Sequence, residues 1–388
     1  MLIRSESEAR IARLQGELSA QGIDAALILH PIDIFYFSGT RQTSALLVPA
    51  AGAPVLWVRK SLSRAQEESA VTVLPFPSSR DFAQQLPEGI RTIGFTFDVL
   101  PVQQYNFYAK LLPGKEFVDI SAINRDLRSV KSPYELELMR ASGRRTCAVF
   151  AEVPQFLKPG MREVDLAAEF EYRLRRAGSE GLTRMRAFNQ EIFMGLTVSG
   201  SRAEAPGFFD GAVTGRGLSA AAPHGASLAP IDRDVPIILD FTGIWDGYVV
   251  DVTRIFVLGK LSERLTHAYQ TSLAIQQYLA EHLKPGVICE ELFQAAAAMA
   301  EDAGLGRNFM GAPGENARFV GHGVGLELDE YPVLAQGFKV PLKAGQTIAI
   351  EPKFVIPGEG VLGIENTFAV TEQGGENLTQ SSDEIVYL

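Results

Sequence analysis

The stretch Ile238-Leu239-Asp240-Phe241-Thr242-Gly243-Ile244-Trp245-Asp246-Gly247-Tyr248-Val249-Val250-Asp251-Val252-Thr253-Arg254 reads as two β-prone runs around an Asp-Gly turn. A four-residue loop over Ile244 to Gly247 would set Gly243 against Tyr248 and Asp240 directly opposite Asp251. Two carboxylates at cross-strand separation, roughly 5 Å between Cβ atoms, repel each other. Each also stands in an apolar strand, where an unpaired buried charge is costly. A cation between them relieves both problems, so the hairpin reads as part of a metal site.

A second hairpin repeats the arrangement. Thr347-Ile348-Ala349-Ile350-Glu351-Pro352-Lys353-Phe354-Val355 and Val361-Leu362-Gly363-Ile364-Glu365-Asn366-Thr367-Phe368 flank Pro357-Gly358-Glu359-Gly360. A loop centred on Gly358 places Glu351 opposite Glu365. Between the hairpins, Gly321-His322-Gly323-Val324-Gly325-Leu326 carries glycines that admit close backbone approach. Four carboxylates and one imidazole form an oxygen-rich set, suited to manganese, cobalt, iron or zinc rather than to a thiolate-loving ion. Their charge balances two divalent cations, which favours a dinuclear centre with a bridging hydroxide as nucleophile.

In order and spacing, Asp240, Asp251, His322, Glu351 and Glu365 resemble the five metal ligands of the pita-bread superfamily, which holds methionine aminopeptidases, aminopeptidase P, prolidases and the metal-free creatinases. The front of the chain agrees. Arg10 to Ser19, Ala25 to Leu29 and Pro31 to Gly39 look like the opening of a creatinase/prolidase N-terminal domain, and Lys131 to Arg140 like the helix leading into the catalytic domain. The resemblance implies an α/β (α+β) chain: a creatinase/prolidase-like N-terminal α/β domain over residues 1–128, then a pita-bread catalytic domain over residues 129–388 with internal pseudo-twofold duplication.

The resemblance also implies roles. Asp240 would chelate one metal, Asp251 and Glu365 would bridge both, and His322 with Glu351 would hold the other. Glu351 would take up a proton from the nucleophile, and Thr253 and Arg254 would hold Asp251 in position. His224, after Pro223, would donate to the oxyanion of a scissile carbonyl. The cofactors would be two divalent ions, manganese ahead of cobalt, zinc or iron. A homodimer is expected, as relatives with this layout commonly are.

Three departures bear on substrate. Asp329, in Asp329-Glu330-Tyr331-Pro332, stands where family peptidases usually carry a second histidine. Gly363 replaces a favoured arginine, and Phe241-Thr242-Gly243 replaces a small-residue step. All three are expected near the metals. They would make the pocket more negative and give Asp329 a part in binding a cationic group; the plainer alternative is that Asp329 pairs with an insertion-loop residue. That insertion runs from Gly200 to Pro223, is rich in Gly, Ala and Ser, and contains Phe208-Phe209-Asp210-Gly211. Ending at Pro223-His224, it is expected beside the active site.

The bulk numbers narrow the field. At 388 residues, 46% hydrophobic and 21% charged, the chain is long enough for two ordinary globular cores. A net charge of −10 argues against nucleic acid or an anionic membrane as partner. No apolar stretch approaches the roughly 18 residues of a membrane span, and Met1 to Glu8 carries acid where a secretory signal carries an apolar core. Cys147 and Cys289 suggest no disulfide framework. A cytoplasmic enzyme follows. Helices are expected at about 6–21, 80–85, 102–111, 265–283 and 290–303, with two more between Ser132 and Arg176 broken at Lys158-Pro159-Gly160. His30, His267 and His282 are expected to serve no catalytic purpose.

The first reading is therefore a dinuclear metallohydrolase of the Xaa-Pro dipeptidase/aminopeptidase P type, cleaving the bond before proline in short peptides. The alternative is a pita-bread enzyme acting on a small non-peptide substrate, a cationic one included, by C–N hydrolysis or elimination. A third is an idle binding protein that keeps the fold.

Overall fold

Arg4–Ala20 forms a helix whose stripe of Ile11, Leu14 and Leu18 is buried, at the spacing of one helical face. It belongs to the first of two compact units in the computed structural model, which describes residues 3–186, 192–208 and 210–388. The first unit ends at Arg128 and the second begins at Ser129. Among the described residues, no helix is long and apolar enough to cross a membrane.

The first unit is built on six strands: β1 (Ala25–Ile28), β2 (Ser44–Pro49), β3 (Val55–Val58), β4 (Thr72–Pro75), β5 (Thr92–Phe95) and β6 (Glu116–Asp119). They lie in the order β4-β3-β2-β1-β5-β6, with β1–β2 and β2–β3 antiparallel and the other pairs parallel. Leu27, Leu47, Trp57, Ile93, Phe95 and Tyr108 form its core. The helix expected over residues 102–111 is present as Val102–Leu111. The one expected around residues 80–85 is only a 3-10 turn, Phe82–Gln85. Pro75, Pro77 and Pro87 crowd that segment, and proline pushes its predecessor out of helical geometry. Burial of Phe82 against Trp57, ring centroids 5.2 Å apart, holds the turn instead.

In the second unit, Pro133–Phe150 is a helix opened by a Ser132–Glu135 capping box with Pro133 at its first turn. Lys158-Pro159-Gly160 separates it from the helix Glu163–Arg176. The pattern recurs with Glu263–His282 and Cys289–Asp302, separated at Lys284-Pro285-Gly286. Each helix pair precedes a hairpin that carries carboxylates, which is the duplication expected from the sequence. The strands are β7 (Gly195–Ser199), β8 (Ile237–Trp245), β9 (Tyr248–Val257), β10 (Phe319–Gly323), β11 (Glu330–Ala335), β12 (Thr347–Ile350), β13 (Lys353–Ile356), β14 (Gly360–Gly363), β15 (Asn366–Thr371), β16 (Gly374–Asn377) and β17 (Val386–Tyr387). One sheet runs β17-β9-β8-β7, another β11-β10-β12-β15-β16, and β13–β14 form a separate ribbon.

Candidate metal centre

The first hairpin closes more tightly than expected. Trp245 pairs with Tyr248, leaving only Asp246 and Gly247 in the turn, with φ of 51° and 84°. Positive φ at both positions matches the right-handed twist of the flanking strands. The Gly247 N–H donates to Glu180 Oε1 at 2.8 Å. The register therefore sets Asp240 opposite Thr253 and Thr242 opposite Asp251, not Asp240 opposite Asp251. The slip is by an even number of residues, so both aspartates keep the same face of the sheet. They are diagonal neighbours, a spacing of roughly 7–8 Å that leaves room between them.

In the second hairpin, Ile356 pairs with Gly360 around a loop in which Gly358 has φ of 82°. Lys353 faces Gly363 on one side, and Ile350 faces Asn366 on the other. Glu351 and Glu365 share the register position between these two ladders, as the sequence suggested. The hairpins then meet: Thr253 and Glu365 exchange backbone hydrogen bonds at 3.3 and 3.5 Å. The Thr367 hydroxyl accepts from the Asp251 N–H at 2.9 Å and donates to its carbonyl at 3.1 Å.

His322 arrives from β10, which lies between β11 and β12. The Glu351 N–H donates to the Val320 carbonyl, so His322 stands diagonal to Glu351. Gly323 is required beside it, because a Cβ there would lie 2.4 Å from the Tyr331 carbonyl oxygen and 2.5 Å from that of Glu330. His322 Nε2 is 3.6 Å from Glu351 Oε1 and 3.9 Å from Glu365 Oε1. One donor atom each from Asp251, His322 and Glu365 falls within 4.8 Å of the others, within reach of a single cation.

Sequence reasoning missed Lys353. Its Nζ donates to Glu351 Oε2 at 2.7 Å, Glu365 Oε2 at 2.8 Å and Asp240 Oδ2 at 2.9 Å. Burial works to lower its pKa, but the attraction of Asp240, Glu351 and Glu365 wins and holds it well above the ordinary lysine value. The signal was in the sequence. Lys353 is a lone cation in an apolar run, two positions after Glu351 and hence on the same strand face.

One lysine does not neutralise four carboxylates. Burial, aided by the charge of Asp240, pushes Asp251 up to about 7 even with His322 and Lys353 opposing. Burial and the charge of Asp251 raise Glu365 well above the usual carboxylate range. The cluster is a cation-seeking site.

Residues 137–372 match the model of metallopeptidase family M24, and residues 10–130 match the creatinase/prolidase N-terminal domain. The chain belongs to metallopeptidase family M24. It is 29% identical over 381 residues to an Xaa-Pro dipeptidase of Pyrococcus furiosus, covering 97% of this chain and 99% of that protein. The solved structure of an Xaa-Pro dipeptidase from Bacillus anthracis superposes with a TM-score of 0.84 at 25% identity, covering 98% of this chain and 100% of that one. A prolidase from Pyrococcus horikoshii OT3 does so with 0.81 at 26% identity, covering 97% and 100%. These matches carry the mixed α/β architecture of an N-terminal domain followed by a pita-bread domain.

Within this M24 domain the three departures fall in different surroundings. Phe241 does not line the centre. It alternates to the opposite face from Asp240 and packs on Phe170, ring centroids 4.4 Å apart. Gly363 is the cross-strand partner of Lys353, so the arginine absent from one strand is answered by a lysine on its neighbour. The sequence reading of the pocket's charge did not count this lysine. Asp329 accepts the Arg186 backbone N–H at 2.8 Å. Arg186 lies outside the insertion, so this hydrogen bond is not the insertion-loop pairing named above. Burial raises its pKa against that hydrogen bond.

His224 is buried, and burial lowers its pKa against the pull of Asp240. The insertion reaches it: the Gly225 N–H donates to the Thr214 carbonyl, and the Phe208 ring centroid lies 6.4 Å from the imidazole. Phe209 lies outside the described residues. Thr253 and Arg254 do hold a carboxylate residue in place, but it is Glu365 rather than Asp251. The Thr253 hydroxyl donates to Glu365 Oε2 at 2.9 Å, and Arg254 Nη1 donates to the Glu365 carbonyl at 2.9 Å. His267 and His282 are exposed on their helix, away from any such cluster.

Proposed function

We propose that the protein is a metal-dependent peptidase that hydrolyses the bond before proline in short peptides. The observation that carries this reading is the meeting of Asp251, His322 and Glu365 within 4.8 Å, flanked by Asp240 and Glu351, in an M24 chain related to Xaa-Pro dipeptidases. The donor set fits a divalent ion, because these buried carboxylates hold more negative charge than Lys353 offsets. Manganese suits the oxygen-rich ligands best, ahead of cobalt, zinc or iron. Such an ion, when bound, polarises a carbonyl and acidifies water.

The chain's own residues do the rest. Glu351 Oε1, on the His322 side of its carboxylate, takes up the proton released as water attacks and passes it to the departing amine nitrogen. Burial lowers the pKa of His224 and so favours the neutral imidazole, which suits it to donate a hydrogen bond to the developing oxyanion. Asp329 serves by fixing the chain at Arg186 beside the centre. The protein is further proposed to be a cytoplasmic homodimer, in keeping with its acidic charge and its two buried free thiols.

The test is hydrolysis of a panel of Xaa-Pro dipeptides and longer Xaa-Pro peptides by chelator-stripped protein, before and after adding manganese or cobalt. Turnover restored by metal is expected. Inactivity across the panel at full metal loading would refute the reading.

A further inference from the structure

We propose that the Lys353 ammonium takes the place of one divalent ion, so that the centre binds a single metal, on the side of Asp251, His322 and Glu365. The inference deepens the metal-centre reading and rests on it for the remaining ion. An ammonium has three N–H donors and no acceptor. Lys353 uses all three, on Asp240 Oδ2 at 2.9 Å, Glu351 Oε2 at 2.7 Å and Glu365 Oε2 at 2.8 Å. A divalent ion on the Asp240 side would need those same oxygens.

The surroundings are fitted to the lysine. Lys353 is 2% exposed, so its charge cannot swing out to water and vacate the position. Its backbone is pinned in β13, opposite Gly363, and its carbonyl accepts the Met310 N–H at 2.9 Å. A Cβ on Gly363 would lie 2.6 Å from Lys353 Cγ and 2.7 Å from Lys353 Cα. The missing side chain on one strand thus makes room for the long one on its neighbour.

What is left suits one ion. Glu351 and Glu365 each direct Oε2 to the lysine and present Oε1 to His322 Nε2, at 3.6 and 3.9 Å. With the lysine and one divalent ion, four carboxylates retain a single negative charge. A second ion would crowd two divalent cations against this buried ammonium.

The decisive experiment counts metal. Full-length protein stripped with chelator is reloaded with manganese, desalted and measured by elemental mass spectrometry, with electron paramagnetic resonance on the same sample. Wild type should retain about one ion per chain and give the spectrum of an isolated manganese. Lys353→Gly, checked for folding by circular dichroism, should retain about two and give an exchange-coupled spectrum. Two coupled ions in wild type would overturn the proposal without reference to any variant. So would a folded Lys353→Gly, or a folded Lys353→Ala, that stays at one. Protein that binds no manganese would overturn it together with the metal-centre reading. Single-ion binding without Xaa-Pro hydrolysis would overturn only the substrate.

Discussion

Replacing Thr253 by valine should weaken metal binding with almost no change of shape. Thr253 is fully buried, and its hydroxyl donates to Glu365 Oε2 at 2.9 Å, alongside Lys353 Nζ at 2.8 Å. Valine keeps the branched volume but cannot donate, and no water can enter to replace the hydroxyl. A hydrogen bond to a charged group nets about 1.5–3 kcal/mol. Because Glu365 is a proposed ligand, much of that loss should appear as a fall in manganese affinity of roughly 10–100-fold, the usual scale for removing a group that orients a metal ligand. Competition of the apo protein with a fluorescent chelator measures this directly. Thr253→Ser is the control, since it keeps the hydroxyl and loses only a methyl. Wild-type affinity in Thr253→Val, or an equal loss in Thr253→Ser, would refute the reasoning.

Other outcomes follow from the same geometry. In chelator, Asp251 has its folded pKa raised to about 7, above an ordinary value of roughly 4, so between those limits the native state binds more protons than the unfolded one. The stabilising effect of Asp251→Asn relative to wild type should therefore grow as pH rises through that window, and urea melts across pH would show a flat difference if burial does not penalise the carboxylate. Asp329→Ala should lose about 1–3 kcal/mol by stripping the Arg186 N–H of its acceptor, while Asp329→Asn, which keeps an oxygen there, should lose less; equal melting temperatures would contradict this. A Cβ on Gly243 would lie 1.7 Å from Thr146 Oγ1, so Gly243→Ala should cost about 1–3 kcal/mol, and adding Thr146→Ala should recover part of it. Strict additivity in that double-mutant cycle would count against the contact.

Much of the centre was legible because strand chemistry is periodic. Asp240 and Asp251, or Glu351 and Glu365, sit in apolar runs broken by turn residues, and burial of acids in such runs demands a cation. The helix pairs ahead of each hairpin could be read from their Lys-Pro-Gly breaks. The failures were of a different kind. A four-residue loop ending at Asp-Gly and the observed two-residue turn differ by two residues in register, which changes the cross-strand partner of Asp240 but not its face. Phe241 neighbours Asp240 in sequence, but strand alternation sends it to the other side, onto Phe170.

The linear chain thus determined which residues are acidic, which strand face each occupies and where the turns fall, since these depend on local periodicity and backbone preference. Only the tertiary structure decided that Thr253 and Arg254 serve Glu365, that Arg186 meets Asp329, and that Lys353 reaches Asp240 and Glu365 as well as Glu351. Those outcomes depend on which distant strands lie side by side and in what register. That choice is made by the packing of the whole domain, and no short window of residues contains it.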